Sequence, residues 1–238
     1  MKRETVNKIR FFIEDVLPPI IRDSALFCGL AKLAWGSHIE RLAHFRARAP
    51  FLTAKQYEQL YRDHPRVHDG TDNSEACIRR IISAIEGDSV CDVGCGTGAL
   101  LRRIRDAKSG LTRVTGVDFV IEAAGQGDSI GYVAARIEAL PFVDGEFDTV
   151  VCTHVIEHLL DYRRAITELR RIAREKLIIV VPREREYYYT FNPHFNFFPY
   201  RHSFLRAAHP VPPVYACEDI GRDIYYEEAR AGAAKEAI

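Results

Sequence analysis

Between residues 73 and 182 the chain alternates two patterns. Short apolar runs recur at 89–93, 112–117, about 131–135, 147–152 and 176–181, and read as strands. The last of them, KLIIVV, suits a strand buried on both faces of its sheet. Segments of helical period lie between. Cys77, Ile78, Ile81, Ile82 and Ile85 share one face of a predicted helix over 73–85. Residues 99–107 carry their arginines on the face away from the core, and 161–174 turn Ile166, Leu169 and Ile172 inward. A short glycine-rich link after Asp118 predicts one abbreviated helical turn at 120–124.

The flanks read differently. Residues 2–17 place Val6, Ile9, Phe12, Ile13 and Val16 on one helical face, and Pro18 and Pro19 end that helix. Asp23-Ser24 caps a second helix running to about Ala49, with Gly36 as a break and Arg41, Arg46 and Arg48 beyond it. A third, 53–63, starts at Thr53 and sets Tyr57 and Tyr61 four apart on one face. Past 182, residues 183–213 interleave aromatics with His194, His202 and His209, a mixture too polar for plain core and too aromatic for a solvated loop. Two strands, 214–219 and 223–228, close around Gly221, and an alanine-rich tail follows. The expected organisation is an N-terminal helical extension or lid (1–70), a core (71–182), an aromatic cover (183–213), and a closing hairpin with its tail (214–238).

Composition narrows the reading. Of 238 residues 47% are apolar, enough for a sizeable core, and 33 basic residues balance 33 acidic ones. No global positive field recruits nucleic acid. No run of eighteen apolar residues exists to span a membrane. The opening MKRETVNKIRFF lacks a signal-peptide pattern, and the six cysteines form neither zinc-like nor disulfide-like spacing, so a cytoplasmic protein is expected. The N-terminal helices read as a cap packed on the core or, alternatively, as an amphipathic surface making peripheral contact with a membrane or a lipid-linked acceptor.

The candidate chemistry begins at Asp92-x-Gly94-x-Gly96-x-Gly98, where a strand turns into a helix. Glycine permits positive φ and lets a ligand lie against bare main chain. Asp118 ends the next strand, where a carboxylate can accept both hydroxyls of a ribose. A nucleoside-bearing cofactor is therefore expected across the ends of these strands. Gly94, Gly96 and Ala99 alone also fit a nicotinamide-dinucleotide pattern. The whole run decides. Asp92 to Gly98, Asp118, Glu138-Ala-Leu-Pro-Phe142, Phe147-Asp-Thr-Val150 and His154-Val-Ile-Glu-His158 resemble, in order and spacing over about 74–182, the class I S-adenosylmethionine-dependent methyltransferases with a type 11-like domain.

That resemblance implies an α/β fold, with a doubly wound Rossmann-like seven-stranded sheet and a C-terminal antiparallel hairpin. It implies S-adenosylmethionine as cofactor, leaving S-adenosylhomocysteine. It places Gly94, Cys95, Gly96 and Gly98 at the methionine portion, Asp92 at the turn and the amino group, and Asp118 and Phe119 at the ribose. Ile137 and Glu138 fall at the adenine edge, and Arg136 and Thr153 also count among the cofactor-binding residues, Thr153 beginning the wall after the fourth strand. Arg136 stands where many relatives carry an aspartate that accepts from the adenine amino group; arginine has no acceptor. His154, Glu157 and His158, at i, i+3 and i+4 on one helical face, resemble the Glu-x-x-Glu-His metal site of some relatives, with His194 or His202 as a further donor. Without a metal, His154 or His158 is the general-base candidate, or a structural histidine. Tyr61, Tyr188, Phe191 and His194 are expected at the acceptor.

The leading expectation is methyl transfer to O or N of a small-molecule or glycan- or lipid-intermediate acceptor. An RNA or protein methyltransferase and a catalytically silent partner subunit are the alternatives. The oligomeric state is not legible.

Overall fold

Ser89–Val93 forms β1, buried along its whole length. Arg113–Asp118 (β2) and Phe147–Thr153 (β4) flank it in parallel, and Gly131–Ala134 (β3) pairs outside β2. Ala173–Pro182 (β5) runs parallel to β4. The last strand, Asp223–Ala229 (β7), inserts antiparallel between β5 and Tyr215–Ile220 (β6). The sheet has seven strands in the order β3-β2-β1-β4-β5-β7-β6. This is the expected doubly wound α/β sheet with its antiparallel closing pair.

The fold is that of a computed structural model describing residues 9, 11–35, 45–53, 55–57, 59, 70–121, 129–188 and 193–230. The chain divides into two compact units, residues 1–69 with 184–197, and residues 70–183 with 198–238.

The larger unit is a sheet covered on both faces. Among the described residues four helices do the covering: Glu75–Ala84 (α4), Ala99–Ala107 (α5), Tyr162–Ile172 (α6) and Arg201–Ala207 (α7). Alternate strand residues enter opposite cores because side chains along a strand alternate. Leu177, Ile179 and Val181 pack with Ile166, Leu169 and Phe204 of α6 and α7. Ile178 and Val180 pack with Ile78, Ile81, Leu101 and Ile104 of α4 and α5. Ser74 caps α4 by accepting from the Cys77 N–H, and Asp161 caps α6 by accepting from Arg164.

Two boundaries move from their sequence positions. The helix expected to reach residue 174 ends at Ile172, and β5 begins at Ala173. Arg174 is drawn into the strand, with Nη1 2.7 Å from Asp148 Oδ1 and Nε donating to Gly145 O. Within the aromatic cover lies α7, whose Phe204 and Ala207 are buried. The short turn expected at 120–124 and the tail fall mainly outside the described residues.

The smaller unit is helical. Residues 12–16 wind as a π turn where an α-helix is expected, and Pro19 opens Pro19–Arg22 (α1) instead of only ending what precedes it. Ala25–Trp35 forms α2, and the Ser24 hydroxyl accepts from Phe27 N at its start; the expected break at Gly36 lies outside the described residues. Phe45–Arg48 (α3) follows. Thr53 and Gln56 bond reciprocally as a capping box. Arg22 is buried, donates to Glu14 O and lies over the Tyr187 ring.

Candidate active site

The turn after β1 is built on main chain. Gly94 N and Cys95 N both donate to Val117 O, at 2.7 and 3.0 Å, which ties the turn to the end of β2. Gly94 has φ +85°, and a Cβ there would sit 2.1 Å from Val155 Cγ2. Gly98 has φ +75°, and its Cβ would sit 2.3 Å from the Tyr132 hydroxyl. Only glycine fits either place.

Asp118 closes the facing side. Its Oδ2 accepts from Gly96 N at 2.8 Å and its Oδ1 from Val120 N at 3.2 Å. Each carboxylate oxygen retains a lone pair for a further donor. Asp92 is buried just below, with Oδ1 lacking a hydrogen-bond partner among the described residues. Burial, reinforced by the charge of Asp118, pushes its carboxyl up to about 7.

Beyond β3, Ile137 is buried and Arg136 is exposed, its Nη2 3.3 Å from Glu138 Oε1. Arg164 donates to Glu138 O. Phe119 is half-buried. Thr153 Oγ1 accepts from Asn73 Nδ2 at 2.9 Å, while the buried Asn73 Oδ1 has no partner among the described residues.

After β4 the chain departs from the expected helix. His154 takes φ +55° and donates its N–H to Val180 O, and only residues 156–158 wind, as a 3₁₀ turn. The three side chains therefore meet through this bend and not on one helical face. Glu157, buried, sets Oε1 3.6 Å from His154 Nδ1 and 3.9 Å from His158 Nε2. His154 Nε2 is buried without a hydrogen-bond partner among the described residues, 3.9 Å from Asp223 Oδ1. Burial opposes protonation of His154, but Glu157, Asp223 and Asp72 outweigh it and hold the imidazole above its ordinary pKa.

Residues 91–181 match the family described as Methyltransferase domain. Those residues carry a methyltransferase domain. It is 36% identical over 87 residues to a malonyl-[acyl-carrier protein] O-methyltransferase of Pseudescherichia vulneris, covering 36% of this chain and 35% of that protein. It is 32% identical over 96 residues to a 2-phytyl-1,4-naphtoquinone methyltransferase of Trichormus variabilis, covering 36% and 42%. The chain spans less than half the length of these curated relatives. The solved PH0226 protein of Pyrococcus horikoshii OT3 shares the fold, with a TM-score of 0.53 at 19% identity over 71% of this chain and 97% of that one.

The residues of this methyltransferase domain fit its cofactor. The turn is glycine-rich, Asp118 has acceptor capacity to spare, and Asp92 Oδ1 is a buried acceptor without a hydrogen-bond partner among the described residues. Asn73, Val155 and Asp223 were not singled out by sequence. Asn73 precedes a helix cap and looks like part of it. Asp223 reaches His154 only because β7 inserts beside β5, where Asp223 pairs with Pro182. Among the expected acceptor residues, Tyr61 and Phe191 lie outside the described residues. Tyr188 and His194 belong to the smaller unit, where Tyr188 is exposed and buried His194 bonds Glu184. His202 lies on α7, its ring stacked on Tyr200.

Proposed function

We propose that this protein transfers a methyl group from S-adenosylmethionine to an oxygen or nitrogen of a small-molecule or lipid-linked acceptor. The observation that carries this is the 2.8 Å bond between Gly96 N and Asp118 Oδ2, which joins a glycine-rich turn to a strand-end carboxylate. The relatives named above, one acting on malonyl-acyl carrier protein and one on a phytyl naphthoquinone, support an acceptor of this size and character.

In this reading Gly94 and Gly96 give room to the methionine portion and Asp92 faces its ammonium. Asp118 accepts from the ribose, and Ile137 with Glu138 borders the adenine. When bound, the cofactor supplies a sulfonium-activated methyl, so the protein needs to provide alignment, exclusion of water and a place for one proton. His154 supplies that place: Nε2 lies buried just past β4 without a hydrogen-bond partner among the described residues, and Glu157 and Asp223 stabilise the ring once protonated. Glu157 Oε1 and His158 Nε2, 3.9 Å apart, give two donors for a divalent ion, which a thermal-shift titration with manganese or zinc would reveal.

The test is calorimetric titration with S-adenosylhomocysteine, using NAD as control. The wild-type protein binds the homocysteine compound and not NAD. Asp118→Ala weakens that binding by about tenfold or more, the worth of one charge-assisted hydrogen bond. Unchanged affinity in this variant would reject the reading.

A further inference from the structure

Beyond the cofactor turn, the larger unit holds a cavity of about 450 Å³ between α7, one face of β6 and the residue that follows β5. That volume lies within the range of small-molecule sites. Its chemistry is uneven. Tyr200 and Tyr215 line it with nearly half of each side chain exposed, and the His202 ring lies parallel to Tyr200 at 13° and 5.1 Å. These are flat surfaces without a core to fill. Two guanidinium groups also line it. Arg201 is partly neutralised, its Nε 3.6 Å from Asp219 Oδ2. Arg183 is half-buried, and its side chain has neither ion pair nor hydrogen bond among the described residues. A half-buried cation without a partner is costly, and an arginine in that state suits a carboxylate or phosphate.

Arg183 follows the carboxyl end of β5, beside which His154 lies. His154 bonds Val180 O, and Arg183 lies three residues further along the same extended chain, about 10 Å away at strand rise. A small aromatic molecule spans that distance.

We propose that this cavity holds the far end of the methyl acceptor, and that this end is a planar ring bearing a carboxylate or phosphate. Arg183 pairs with the anion while Tyr200 and Tyr215 flank the ring. The word acceptor rests on the proposed methyl transfer; the anion site itself does not.

Cys217 gives a reporter inside the cavity. It lines the site and is the one cysteine of six that is not buried, with its thiol pushed up to about 11 mainly by burial. Alkylation by iodoacetamide at mildly alkaline pH, followed by peptide mass spectrometry, therefore reads Cys217 alone. Phenyl phosphate or benzoate slows its modification with millimolar midpoints; comparing the two tells which anion is preferred. Benzyl alcohol and inorganic phosphate protect at least about tenfold less well, lacking one half of the recognition. Arg183→Gln raises both aromatic midpoints by about tenfold while leaving S-adenosylhomocysteine affinity unchanged. A misfolded variant declares itself by labelling at the five buried cysteines, and Arg201→Gln then serves as the second variant, with a smaller rise expected. Absence of protection, or protection by benzyl alcohol as good as by benzoate, overturns the proposal. Protection in a protein that binds no S-adenosylhomocysteine keeps the anion site and overturns its assignment to a methyl acceptor.

Discussion

His154 is held in the left-handed region, which costs a residue other than glycine on the order of 1 kcal/mol. The bond from its N–H to Val180 O fixes the bend, and the bend aims the ring between Glu157 and Asp223. Asparagine tolerates the same backbone but has no titrating nitrogen. His154→Asn is expected to lower the methyl-transfer rate by about 10²-fold with S-adenosylhomocysteine affinity retained. Because the neighbouring carboxylates raise the pKa of His154, the base form dominates only above the ordinary histidine range. The wild-type rate should therefore climb at pH values above the ordinary histidine range, and the variant should lose that limb. An unaltered pH–rate profile would assign the proton to another group.

The glycine turn shows how one element is fitted to the next. Gly94 lies against Val155, the residue after His154, so the loop after β1 and the loop after β4 pack directly on each other. A methyl group in that gap meets both a steric clash and a disfavoured φ. Gly94→Ala should lower stability by about 2 kcal/mol and weaken S-adenosylhomocysteine binding together, read by denaturant titration and calorimetry. Retained stability and affinity would show that the two loops part freely. At this scale much was legible. The turn, β1 and α5 follow from glycine spacing and periodicity, since both are local properties. The start of β5 was not legible, because Arg174 leaves the helix for a distant partner, Asp148. Nor was the bend at His154, because a His-rich segment of helical spacing gives no local sign of positive φ. The helix α7 was obscured by aromatic density: Tyr200 and His202 face outward while Phe204 packs inward, and the mixture hid the period.

For the molecule as a whole, two buried groups pull stability in one direction. Asp92 titrates near 7 in the folded protein against an ordinary 3.8, so the unfolded chain holds fewer protons between those values and stability falls as pH rises through them. His154 favours the folded state while protonated, and that contribution is lost as pH rises through its elevated pKa. The melting temperature without cofactor should therefore decline from about pH 4 to about pH 7 through Asp92, with the His154 share lost above the ordinary histidine range. A cofactor ammonium beside Asp92 favours the ionised form, so the stabilisation given by S-adenosylhomocysteine should grow over the same interval. Asp92→Asn should flatten both trends in differential scanning fluorimetry, and steep trends in that variant would place the titration elsewhere. At this scale the sheet and its cofactor edge were legible from motif order. What was not legible is long-range register: nothing near Asp223 in sequence points to His154, and only the pairing of β7 with β5 brings them together.

That pairing also bears on how the protein is made. Since β7 lies inside the sheet between β5 and β6, a growing polypeptide that has emerged only as far as Ile220 leaves the amide row of β5 naked, with β6 lacking its neighbour. The ribosome delivers the filling strand last, so a truncated or stalled chain presents an unpaired, apolar ribbon ready to stick to others like itself.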